Sequence, residues 1–136
     1  MTETPDKPVT IALAGNPNSG KTTVFNGITG GRAHVGNYPG VTVEVRTANV
    51  RHGRTPIQIL DLPGTYSLTA YSAEEVIARN VILNEKPDVV IDILDSANLE
   101  RNLYLATQLM ELGVPLVLAL NMRDGLAMRR RKRKPA

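Results

Sequence analysis

The chain has 136 residues, 42% of them apolar, which suits one domain with a central sheet and helices laid on it and is too little for two. It has no cysteine, which excludes disulfide frameworks and thiolate metal sites and is compatible with a reducing cytosol. The net charge of +3 and pI of about 9.4 have one source: Arg129 to Lys134 are six consecutive basic residues, and without them ten basic residues face 13 acidic ones, a net of −3.

Residues 1–8, with Pro5, Pro8 and three charges, read as a disordered lead-in without signal-peptide character. No apolar run approaches the ~18 residues of a membrane span, so the chain as written reads as soluble. Val9 to Ala14 is an apolar run that predicts the first strand, and it leads into Gly15-Asn16-Pro17-Asn18-Ser19-Gly20-Lys21-Thr22. That octapeptide fills every fixed position of G-x-x-x-x-G-K-[ST], a phosphate-binding loop. Its glycines let consecutive N–H groups face one centre, Lys21 adds a point charge for β and γ phosphates, and Thr22 offers a hydroxyl to Mg²⁺. Lys21 to Ile28, with apolar Val24, Phe25 and Ile28, predicts the helix whose N-terminus would receive the phosphate.

Residues 29–41 hold four glycines and a proline and read as a mobile loop. Thr42 to Thr47 alternates polar and apolar, as an edge strand with one wet face would. His52-Gly53 supplies a hairpin turn, and Ile57 to Leu60 returns as the next strand, delivering Asp61-Leu62-Pro63-Gly64 at its C-terminal end. His34 and His52 lie at no metal-ligand spacing and read as surface loop residues. Ser72-Ala73-Glu74-Glu75 is a capping box opening a helix that buries Val76, Ile77, Val81 and Ile82 and closes at Lys86-Pro87. Val89 to Leu94 reads as an internal parallel strand. Leu99, Leu103, Ala106 and Met110 mark a third helix, stopped by Gly113 and Pro115, and Pro115 to Leu120 a further buried strand. The order β-α-β-β-α-β-α-β predicts an α/β fold, a mainly parallel sheet with helices on both faces.

The phosphate loop alone does not choose between ATP and GTP. Asp61-x-x-Gly64 places a carboxylate near the Mg²⁺ shell and a backbone N–H near a γ-phosphate. Thr42 stands where a hydroxyl can reach the same metal. Asn121-x-x-Asp124 follows the last strand, where a carboxylate accepts from guanine N1–H and the 2-amino group, a donor pair that adenine lacks. Lys21, Thr42 and Gly64 are the residues expected at the reacting phosphate. Thr65 stands where such switches often carry a Gln that orients water and is too short for that task, so intrinsic hydrolysis is expected to be slow.

These motifs together resemble the N-terminal G domain of the ferrous iron transport protein B family, a P-loop (Ras-like) GTPase of bacterial Fe(II) transporters. The resemblance covers residues 9–124 and rests on GNPNSGKTT at 15–23, VGNYPGVTVE at 35–44, DLPGTYSL at 61–68, NLERNLYL at 98–105 and ALNM at 119–122. It implies that Gly15, Asn18, Ser19, Gly20, Lys21, Thr22, Thr23, Gly40, Val41, Thr42, Asp61, Gly64, Asn121, Met122 and Asp124 hold GTP or GDP. It further implies Thr22 and Thr42 on Mg²⁺ with Asp61 in the outer shell, and Asn18 on a K⁺ ion that stimulates hydrolysis. Met122 replaces the Lys of the general GTPase pattern, where its stem can pack like that of Lys. In the intact protein the implied partner is a membrane Fe(II) permease domain, with the G domain on the cytoplasmic face of the bacterial inner membrane.

The resemblance stops at Asp124, before the further helix, the strand with a base-contacting loop and the last helix that complete such a domain. Residues 125–136 read as a disordered basic tail, either from truncation or a shifted frame or as a polybasic arm for anionic lipid or nucleic acid. A sheet left without that helix would expose Val- and Leu-rich strand surface. Two other classes stay open: an RNA- or ribosome-associated GTPase, which shares G-x-P-N-x-G-K, and an ATP-using P-loop enzyme or non-hydrolysing binding module. No basic surface with interleaved aromatics supports a nucleic-acid partner, and none is expected.

Overall fold

A computed structural model describes residues 7–37, 39 and 43–122. Lys7 and Pro8 carry no regular structure; residues 1–6, the tail 125–136 and the site positions Gly40, Val41, Thr42 and Asp124 lie outside the described residues. The apolar run at the start forms β1 (Val9–Gly15), the axis of the domain, pairing in parallel with β4 (Thr55–Asp61) on one side and β5 (Val89–Asp95) on the other. Among the described residues the sheet has six strands, completed by β2 (His34–Asn37), β3 (Glu44–His52) and β6 (Leu116–Asn121) in the spatial order β2-β3-β4-β1-β5-β6. Strands β2, β3 and β4 form an antiparallel meander, and the other pairings are parallel. The β3–β4 turn sits where His52-Gly53 predicts it, with Gly53 at φ +62°.

Helix α1 (Lys21–Thr29) covers one face of the sheet, where Leu13, Phe25, Ala48 and Ile59 pack together. Helices α2 (Ala73–Glu85) and α3 (Leu99–Glu111) cover the other, around Ala12, Ala14, Leu60, Leu62 and Val90. Ala12 and Ala14 of β1 are buried in that cluster. The capping box forms as the sequence predicts: Glu75 N–H donates to Ser72 Oγ (3.1 Å) and Ser72 N–H to Glu75 Oε1 (3.2 Å). Burial alone would push the Glu75 carboxyl up. Donation from the Ser67 hydroxyl, the N–H groups of Tyr71 and Ser72, and the Thr69 hydroxyl instead holds it below the ordinary carboxylate value.

Several local expectations are overturned. The segment read as a loop over 29–41 contains β2, which takes the sheet edge and places His34 on a strand, so β3 has neighbours on both sides. The even-numbered face of β3, read as wet, turns under α1, where Ala48 and Val50 join the Phe25 cluster. On α1 the buried stripe runs Lys21, Phe25, Thr29, and Ile28, about 60° from Phe25 around the helix, is exposed. On α2, Ala78 is buried and Val76 is exposed. The α3 face is also rotated: Asn102, Leu105, Ala106 and Leu109 point inward, while Leu99, Leu103 and Met110 are exposed. Asn102 decides that rotation, because its amide accepts from Asp95 N–H (3.0 Å) and donates to the Asn98 carbonyl (2.8 Å), so this polar residue is at home inside. Strand β6, expected to be buried, exposes Val117, Leu118 and Leu120, each about half accessible, on both faces.

One core residue is out of keeping with its surroundings. Asp92, central on β5, is flanked in register by Ala14 of β1 and Leu118 of β6 and is 1% exposed. Among the described residues neither carboxylate oxygen has a hydrogen-bond partner, and burial pushes the group up to about 7.

Candidate nucleotide-binding site

At the C-terminal end of β1 the chain turns through two left-handed residues, Asn18 (φ +68°) and Gly20 (φ +95°), with Ser19 N–H returning to the Asn16 carbonyl (3.1 Å). Helix α1 starts immediately afterwards, with no side-chain cap and no acidic residue in its first turn. The N–H groups of Lys21, Thr22 and Thr23 precede any possible intrahelical acceptor. They open onto a cleft of about 720 Å³ lined by Asn16, Pro17, Asn18, Gly20, Lys21, Thr22, Thr23, Gly64, Asn121 and Met122. Uncapped N–H groups, the positive end of the helix dipole and a lysine in one concavity form a receptor for a polyanion. The volume is within the range of small-molecule sites.

Three glycines here leave little or no room for a side chain. A Cβ at Gly15 would stand 2.7 Å from Ser19 Oγ, one at Gly64 would stand 3.2 Å from the Pro17 backbone, and one at Gly20 would collide with the Asn121 amide. Gly64 is brought to Pro17 because the chain beyond β4 keeps following β1: Leu62 N–H donates to the Leu13 carbonyl (3.0 Å) and Thr65 N–H to the Gly15 carbonyl (3.1 Å). Thr65 is buried and does not line the cleft. From the far side, Asn121 Nδ2 donates to the Ser19 carbonyl (2.9 Å), so the end of β6 is tied to the loop between β1 and α1.

Asp61 is 5% exposed and holds two cations. Lys21 Nζ lies 2.5 Å from Oδ1, while Arg46 reaches Oδ2 through Nη2 (2.6 Å) and Nε (3.1 Å). Arg46 also stacks on Phe25, 4.8 Å from the ring centroid. Three buried polar atoms beside the cleft find no partner among the described residues: Ser19 Oγ and both ends of the Asn16 amide.

The structure thus gathers Asn18, Gly20, Lys21, Thr22, Thr23, Gly64, Asn121 and Met122 around one cleft, with Gly15, Ser19 and Asp61 immediately behind it. Sequence reasoning missed Asn16 and Arg46. Arg46 was assigned to a wet face by alternation; the signal that could have found it is its cross-strand register with Asp61. The NLERN stretch proves to be architectural, since Asp95, Asn98 and Asn102 bond one another around a single 3-10 turn. Its Arg101 stacks on Tyr66, 4.3 Å from the ring centroid, and Gln108 accepts from Leu68 N–H (2.5 Å), so the segment after Gly64 is anchored on α3.

A family model described as ferrous iron transport protein B matches residues 9–133. The chain belongs to the ferrous iron transport protein B family. It is 55% identical over 117 residues to a Fe(2+) transport protein A/Fe(2+) transporter FeoB fusion protein of Porphyromonas gingivalis, covering 85% of this chain and 14% of that one. To the Fe(2+) transporter FeoB of Salmonella typhimurium it is 52% identical over 122 residues, covering 87% of this chain and 16% of the relative. The chain therefore spans about one-seventh of the length of these curated relatives. The crystal structure of the G domain of the T. maritima FeoB iron transporter superposes with a TM-score of 0.83 at 40% identity, covering 93% of this chain and 82% of that one. A GDP-bound point variant of the S. thermophilus FeoB G-domain gives 0.80 at 52% identity, covering 87% of this chain and 45% of that one. The fold is accordingly that of a FeoB G domain, a P-loop GTPase fold, and among the described residues no helix is long and apolar enough to cross a membrane.

Proposed function

We propose that the chain binds guanine nucleotide in the cleft at the start of α1 and hydrolyses GTP slowly to GDP and phosphate, as the nucleotide switch of a ferrous iron transporter. In the intact protein it would work beside a membrane Fe(II) permease, on the cytoplasmic face of the bacterial inner membrane. The observation that carries the reading is the uncapped first turn of α1, whose N–H groups share one cleft with Lys21 and Asn121.

Each residue has a stated task in this reading. The N–H groups of Gly20 to Thr23 take the α and β phosphate oxygens, with Gly15, Asn18 and Ser19 shaping the loop. Lys21 turns from Asp61 to the β and γ phosphates. Gly64 N–H would serve the γ-phosphate, and Gly40, Val41 and Thr42 would add to the nucleotide contacts. Asn121, Met122 and Asp124 hold the base. Thr22 and Thr42 would hold Mg²⁺, with Asp61 in its outer shell. Mg²⁺, when bound, would supply neutralisation of phosphate charge, and K⁺ at Asn18 would add to it. Attack of water on the γ-phosphorus would then depend on how that water is positioned. Thr65, buried with its N–H on the Gly15 carbonyl, offers nothing to orient that water, so turnover without help should be on the order of 10⁻⁴ s⁻¹.

Displacement of a fluorescent GDP analogue by GTP, GDP and ATP, with phosphate release measured in parallel, tests the proposal. GTP and GDP should compete and ATP should not. Equal competition by ATP would remove guanine from the reading, and retention of binding by Lys21→Ala would remove the cleft.

A further inference from the structure

Asp61 holds two cations, and they are mounted differently. Lys21 opens α1 and lines the cleft. Arg46 stands on β3 directly opposite Asp61 in the antiparallel register, is stacked on the fully buried Phe25, and is 27% exposed at its side chain. Strand pairing and stacking fix Arg46 where it is, and it does not line the cleft. Lys21 faces the space a polyphosphate would fill and has a flexible four-carbon stem.

We propose that Arg46 is a positioning residue: it is the resident counter-ion of Asp61, and its presence releases Lys21 to the phosphates. The inference rests on the nucleotide reading above. A buried carboxylate that loses its only partner is strongly destabilising. With Arg46 on Oδ2, Lys21 can leave Oδ1 while Asp61 stays paired. Without Arg46, Lys21 and Asp61 have only each other, and nucleotide must break that pair before Lys21 can serve it. Mg²⁺ brings positive charge to the same carboxylate, so the penalty for losing Arg46 should be largest when Mg²⁺ is absent. Arg46→Met removes the charge and keeps an unbranched stem over Phe25.

The test is titration of the full chain with a fluorescent GDP analogue in EDTA and in excess Mg²⁺, with a thermal melt on each variant to establish folding. Arg46→Met should weaken binding in EDTA by about tenfold or more, and by less in Mg²⁺. Adding Asp61→Asn to Arg46→Met should return binding in EDTA to within about twofold of wild type, because no anion then detains Lys21. Arg46→Lys, which keeps the charge, should stay closer to wild type than Arg46→Met, and Arg46→Gln serves the same comparison if the Met variant does not fold. Wild-type binding by a folded Arg46→Met in EDTA, an equal loss in EDTA and Mg²⁺, or failure of Asp61→Asn to restore binding would each overturn the inference and leave the nucleotide reading standing. A wild-type chain that binds no guanine nucleotide in either condition would overturn both.

Discussion

Replacing Asp92 by Asn should change how stability depends on pH far more than it changes the packing. The carboxylate is buried between Ala14 and Leu118 with both oxygens unpartnered, and its pKa rises from 3.8 to about 7. Between those two values the folded state holds a proton that the unfolded chain has released, so unfolding free energy falls as pH rises through that window and levels off above about 7. Three pKa units correspond to about 4 kcal/mol over the whole window, of which about 2–3 kcal/mol is lost between pH 5 and 8. Asn keeps the shape and never ionises. Urea unfolding followed by far-UV circular dichroism at several pH values measures the effect, and subtracting variant from wild type cancels every other titrating group. The stability of Asp92→Asn relative to wild type should grow by those 2–3 kcal/mol from pH 5 to 8. Parallel pH profiles for the two proteins would show that Asp92 does not hold its proton in the folded state, and the argument from unpartnered burial would fail.

Gly20→Ala forces a side chain into a φ of +95° and against the Asn121 amide; it should cost about 1–2 kcal/mol in stability and reduce GDP binding in the same fluorescence titration. Ser72→Ala removes half of the capping box and should cost about 1 kcal/mol in a chemical melt. The Glu75 pKa is lowered, so its contribution is present above the unfolded value and is lost as pH falls through the folded one; Glu75→Gln should flatten the acid limb of the stability profile and leave the alkaline limb alone. If Asn18 holds K⁺, phosphate release in KCl should exceed that in NaCl, and Asn18→Ala should abolish the difference; equal rates in the two salts would end the K⁺ assignment.

Much of this fold could be read from residues whose local chemistry admits few alternatives. Gly15 to Thr22 had to be a turn feeding a helix, Ser72 and Glu75 had to cap one, and the run from Val89 to Leu94 had to be covered on both faces. Strand β2 was illegible because His34 to Asn37 are all exposed and show no alternation; only pairing with β3 makes them a strand. The α3 face was misread because leucines lie on two stripes, and a polar residue, Asn102, selects between them through bonds that exist only after folding. Arg46 was missed for a related reason: alternation shows that a residue shares a face with its neighbours but not which carboxylate the next strand will set opposite it.

In the proposed nucleotide reading Asn121 belongs to two half-sites at once. Its sequence position assigns it to the base, yet in the fold its amide is spent on the Ser19 carbonyl, the backbone of the loop that would grip phosphate. Any contact that reorients this amide is felt at both ends of the nucleotide, and the free energy linking them is the same in either direction. Base identity should then be legible in how fast the phosphates let go, and a bare polyphosphate, however well it fits the helix terminus, should report on a loop whose geometry is only half specified.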